Sequence, residues 1–129
     1  MFAALEYEEY NREINLNSNN MKKFLAIYMM PALAMGEARK TSTPEKHKEE
    51  MASWGKWMES IKSSTVDGGA PTGKNMRVNV RGSTIIRNEV CGYIIVEAQS
   101  LEDAAKLFEG NPMLAMPDAY VEVAECMSM

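Results

Sequence analysis

The chain has one histidine, His47, and only two cysteines, Cys91 and Cys126, among 129 residues. Neither cysteine has a second cysteine or the histidine at metal-ligand spacing. No zinc site or disulfide framework is therefore predicted, and both cysteines read as buried, reduced thiols. A Ser/His/Asp or Cys/His nucleophile set cannot be assembled either, because both cysteines read as buried and the one histidine is already placed on a helix stripe. Basic patches are missing as well. Eighteen acids face fourteen bases for a net charge of −4, and no basic stripe or alternation of arginine with aromatics is there to neutralise phosphates. Nucleic acid is excluded as the expected partner. The longest apolar run, Phe24 to Pro31, falls far short of the ~20 residues that cross a bilayer. Residues 1–20 have neither the basic start nor the apolar stretch of a signal peptide. Together these absences predict a cytoplasmic protein with no membrane partner, no metal and no other cofactor. The segment Gly68 to Lys74 is no phosphate loop, since Asn75 follows the lysine where Ser or Thr opening a helix is required.

What is present is one domain's worth of alternating strand and helix signals, long enough to bury a core without disulfides. Residues 1–20 stand apart. Glu6, Glu8, Glu9 and Glu13 against Arg12 place three of the four net negative charges there, and the stretch from Asn15 to Asn20 has linker composition. They read as an acidic arm and linker, with the folded domain at 21–129. Residues 23–30 carry no charge on either alternation set beyond Lys23 and predict a strand buried on both faces. Thr43, Pro44 and Glu45 open a helix over 44–62 whose His47, Met51, Trp54, Met58 and Ile61 share one face, with Trp57 at its edge. Thr65 and Val66 read as a short strand and 67–73 as the turn after it. Arg77 to Val80 folds back through Arg81–Ser83 onto Thr84–Ile86. Cys91 to Glu97 is the most strand-like segment. Ser100 caps a second helix with Leu101, Ala104, Ala105 and Phe108 inward, Gly110 and Pro112 end it, and Tyr120 to Cys126 is the last strand. This order is α+β, the ferredoxin-like βαββαβ arrangement with an extra hairpin on an antiparallel sheet.

His47 points toward the sheet in this reading. It serves either as a general base near a cleft, imidazole being the side chain that ordinarily changes charge near neutral pH, or as a structural ring satisfied by a backbone carbonyl. Tyr28, Trp54, Asp67 with Gly68, and Asn111 are the residues expected to share a cleft with it. Tyr28 and Trp54 combine an apolar body with one polar tip, suited to a small, partly aromatic ligand, and equally suited to filling the core. The twelve methionines, clustered at 29–30, 113–116 and 127–129, suit pliable packing at a cleft rim or subunit interface.

From Met21 to Met127 the chain resembles the YCII-related family of dimeric α+β-barrel proteins. The resemblance rests on "MKKFLAIYM", "TPEKHKEEMASWGKWMESI", "DGG", "CGYIIVEAQSLEDAAKLFEGNP" and "AYVEVAEC", in that order and spacing. It implies a homodimer in which two ferredoxin-like sheets pack face to face as a barrel with clefts on its inner surface. It also implies kinship with barrels that isomerise or bind small ring compounds. Two departures matter. Asn111 stands where the family often has an Asp that pairs with the helix histidine, and the "DGPF" signature of one branch is absent from 82–92. The expectation is a protein that binds a small molecule in such a cleft, with His47 in isomerase- or hydrolase-type proton transfer. A non-catalytic homodimeric interaction module is the alternative.

Overall fold

The structure is a computed structural model that describes residues 21–31 and 40–128; the arm and linker read in residues 1–20 lie outside the described residues. A four-stranded antiparallel sheet runs in the order β2-β5-β1-β6, with β1 Lys22–Met29, β2 Thr65–Pro71, β5 Val90–Ala98 and β6 Tyr120–Glu125. Helix α1 (Pro44–Ser60) joins β1 to β2, and α2 (Leu101–Lys106) joins β5 to β6. Between β2 and β5 stands a separate two-stranded ribbon, β3 Asn75–Asn79 with β4 Gly82–Ile86. Strand order and connections are those of the ferredoxin-like fold, with the ribbon as its extra hairpin.

Period-two alternation decides which side of the sheet the helices cover. Phe24, Ala26, Tyr28, Ile94, Val96 and Ala98 are buried beneath them together with Trp57, Ile61, Ala104 and Phe108. Phe24, Ile94 and Val96 are fully enclosed, each such side chain contributing about 1.5–3 kcal/mol. The opposite set, Leu25, Ile27, Met29, Tyr93 and Ile95, is only half-buried. Within the single chain the first strand is thus covered on one face, because both helices pack on the same side.

Thr43 caps α1, its Oγ1 accepting from the Lys46 amide at 3.1 Å, and Pro44 takes the first helical position. Helical periodicity identified the inward stripe but not how much of the helix overlies the sheet. Only the second half is covered. Trp54 and Met58 are half-buried and Ile61 is buried, while His47 and Met51 are exposed, so His47 does not point into the sheet. Trp57, expected at the edge of the stripe, is the buried residue of the helix. Its Nε1 donates to the Leu107 carbonyl at 3.0 Å and its ring meets Phe108 at 5.4 Å, both in the turn that follows α2.

Ser100 caps α2 through the Asp103 amide at 3.1 Å. Ala104 and Phe108 face inward as expected, but Leu101 and Ala105 are exposed. The helix ends after six residues, and the turn that follows brings Leu107 against the core in their place. The glycines after Asp67 belong to a strand and not to a turn. β2 continues to Pro71 with two register shifts, and Gly69, at φ +69°, lets its backbone press on Tyr93 of β5. Cys91 is half-buried and Cys126 exposed, both as free thiols. Cys126 is exposed because it lies one residue past the end of the edge strand β6. Among the described residues no helix is long and apolar enough to cross a membrane.

Candidate functional site

Tyr28 sits where β1 ends against a register shift, directly across from Gly92 of β5. The missing side chain makes room for the ring, since a Cβ on Gly92 would lie 3.3 Å from Tyr28 Cδ2. Trp54 meets the tyrosine edge-on at 5.4 Å, and Phe108 does so at 6.3 Å. Asn111 follows α2 and is 2% exposed. Its Nδ2 donates to the Tyr28 hydroxyl at 3.3 Å, and its Oδ1 accepts from the Met113 amide at 3.0 Å, which starts the short 3₁₀ turn Pro112–Ala115.

Burial pushes the Tyr28 hydroxyl up to about 12, and the hydrogen bond from Asn111 offsets this only partly. The phenol is therefore neutral throughout the physiological range. Asn111 occupies one lone pair of its oxygen, so the hydroxyl hydrogen takes no part in this bond. A carboxylate at position 111 would instead have accepted that hydrogen. The Cys91 thiol, which donates to the Tyr28 carbonyl at 3.4 Å, is also pushed up by burial and is no ready nucleophile.

Three of the predicted residues, Tyr28, Trp54 and Asn111, are thus brought together. His47 lies on the Trp54 stripe but two turns earlier, about 10 Å along the axis at 1.5 Å per residue. Asp67 is exposed, and its Oδ1 accepts from the Gly69 amide at 2.8 Å in a local turn. Gly68 lies against α1, where a Cβ would meet Met58 Cε at 3.7 Å. Neither joins the tyrosine cluster. Sequence reasoning did not assign Gly92, Trp57 or Phe108 to the site. A glycine inside an otherwise apolar strand was the available signal for the first. An open groove of about 690 Å³ runs along the other side of α1, between Lys46, Glu50, Ser53 and Trp57 and, across it, Glu109 and Pro112; none of the predicted residues lines it. Among the described residues no three His, Cys, Asp or Glu side chains converge as metal ligands.

The chain is similar in fold to 5-chloro-2-hydroxyhydroquinone dehydrochlorinase (TftG) from Burkholderia phenoliruptrix AC1100, solved in complex with 2,5-dihydroxybenzoquinone. The TM-score is 0.51 at 16% identity, over 83% of this chain and 95% of that one. With the strand order above, this decides the architecture. The chain is a ferredoxin-like α+β protein. At such identity the ferredoxin-like likeness concerns fold alone. A hydantoinase/carbamoylase family amidase from Burkholderia ambifaria aligns with a TM-score of 0.32 at 8% identity, over 82% of this chain and 27% of that one, too loosely to bear on either fold or function. No family model and no curated protein matches the chain.

Proposed function

We propose that the chain is a YCII-related protein, homodimeric through residues 21–129, that binds a small organic molecule beside Tyr28, Trp54 and Asn111. Proton transfer of the isomerase or hydrolase type by His47 requires a ligand that extends from this cluster along α1, since the imidazole lies exposed about 10 Å away. One observation carries the reading: a neutral tyrosine hydroxyl, oriented by a buried carboxamide and flanked edge-on by a tryptophan, is a built donor inside an aromatic wall. Such a wall suits a planar ring bearing an oxygen acceptor. TftG, similar in fold, is a dehydrochlorinase solved with such a compound. The half-buried sheet face of Leu25, Ile27, Met29, Tyr93 and Ile95 supports the dimer, since both helices lie on the other side. The interaction-module reading is favoured by a different observation, that both polar ends of Asn111 are already engaged within the protein.

The experiment is an NMR titration of the full chain with 2,5-dihydroxybenzoquinone as the first probe, followed by related hydroxylated rings. The Trp54 indole N–H should shift and saturate, while Trp57, bonded to Leu107, stays in place. Tyr28→Phe should weaken the probe at least tenfold. An unmoved Trp54 signal across the series would leave the interaction module as the standing reading.

A further inference from the structure

The β3–β4 ribbon is the least accounted-for part of the molecule. It forms a sheet of its own beyond the end of the β2–β5 pair, and Asn88 Oδ1 links the two by accepting from Asn75 Nδ2 of β3 at 3.0 Å and from the Val90 amide of β5 at 3.1 Å. Its register sorts its side chains. Met76 faces Ile85 and Val78 faces Ser83 on one side, while Arg77 faces Thr84 and Asn75 faces Ile86 on the other. The first side is apolar and open to water: Met76 is 56% exposed, Val78 76%, Ile85 81%, and Val80 at the turn fully so. A lone two-stranded hairpin is marginal in water, and this one spends its β-branched residues on solvent.

Its charge says what would cover it. Residues 74–87 contain Lys74, Arg77, Arg81 and Arg87 and no acid, so the rest of the chain holds ten bases against eighteen acids. The half-buried face of the main sheet has the matching character. Leu25, Ile27, Met29, Tyr93 and Ile95 form its centre. Register places Asp67 opposite Ile95, Glu122 opposite Ile27 and Glu97 opposite Lys23 on that same face, three acids against one base. Resting on the dimer proposed above, we infer that the ribbon is an arm whose apolar side laps onto the sheet face of a second copy of this chain beside the sheet-to-sheet contact, with Lys74, Arg81 and Arg87 at its ends and turn toward the acidic rim and Arg77 on its outer side.

The test measures dimer dissociation by sedimentation across a dilution series, for the full chain and for the double variant Val78→Glu with Ile85→Glu. Both residues are exposed in the single subunit. The variant should raise the dissociation constant at least tenfold, and added salt should weaken the unaltered dimer. In the unaltered protein, hydrogen exchange of the β3–β4 amides should quicken on dilution to monomer, a readout that needs no substitution. A dimer whose affinity the variant leaves within twofold, with ribbon exchange indifferent to dilution, overturns the arm and leaves the dimer standing. A chain monomeric throughout overturns both. Co-sedimentation of the unaltered chain, but not the variant, with phosphatidylcholine vesicles containing phosphatidylserine, at unchanged dimer affinity, would give the ribbon to a membrane surface and overturn the inference.

Discussion

Tyr28 and Asn111 stabilise the protein as a pair, because each satisfies a polar group that the other's absence would leave buried. Tyr28→Phe strands the Asn111 Nδ2 in an apolar setting and should cost about 1–3 kcal/mol in urea unfolding near pH 8. The loss should depend on pH in a stated direction. The folded-state hydroxyl is raised to about 12 from an ordinary 10.0, so between those values the unfolded chain releases a proton that the folded chain keeps. Stability from this group is complete below pH 10 and declines as pH rises through that window, so the gap between Tyr28→Phe and the unaltered protein should narrow there. A gap that widens with pH would mean the phenol ionises more readily when folded. His47→Asn, by contrast, alters an exposed side chain and should shift stability by no more than about 0.5 kcal/mol. A larger loss would show that His47 is structural.

At the scale of elements, β2 holds its register on β5 through a glycine that no other residue can replace. Gly69 is in the left-handed region, and a Cβ there would fall 1.7 Å from the Tyr93 carbonyl oxygen, a backbone atom that cannot swing aside. Gly69→Ala should therefore cost on the order of 3 kcal/mol or more in urea unfolding. Gly73→Ala, where a Cβ meets nothing within 4 Å, should stay near neutral. Equal effects at the two positions would contradict the close approach of β2 to β5. The short α2 depends on its cap, and Ser100→Ala should cost about 1 kcal/mol through the lost bond to the Asp103 amide. Trp57 packs on Leu107 and Phe108, in the turn after α2, on the face of the sheet that both helices cover.

For the whole molecule, the open sheet face and the basic ribbon make association the property to measure first. Light scattering should report about twice 14.4 kDa at micromolar concentration. A mass of one chain would remove the proposed barrel. Trimming residues 1–20 should leave a cooperative thermal transition with a modest shift, since the capping signals and the strand order all lie after them. An insoluble product would make the arm part of the core or interface.

Strand alternation, the Thr43 and Ser100 caps and the Gly110–Pro112 stop are local signals, and from them the sequence by itself determined the element order, the α+β class and the extra hairpin. It also named Tyr28 and Trp54 as amphipathic aromatics, and the family resemblance named Asn111; that these three come together is a matter of the tertiary structure. What only the tertiary structure decided depends on distances between segments far apart in the chain. Packing against Leu107 and Phe108 buries Trp57, while His47, earlier on α1, stays in solvent. The approach of β2 to β5 turned a predicted turn at Asp67–Gly69 into a bulged strand and drew Asp67 away from the tyrosine. Periodicity gives the direction a side chain faces, but where an element stops overlapping its neighbour is set by packing. That overlap separates the buried tyrosine cluster from the exposed histidine.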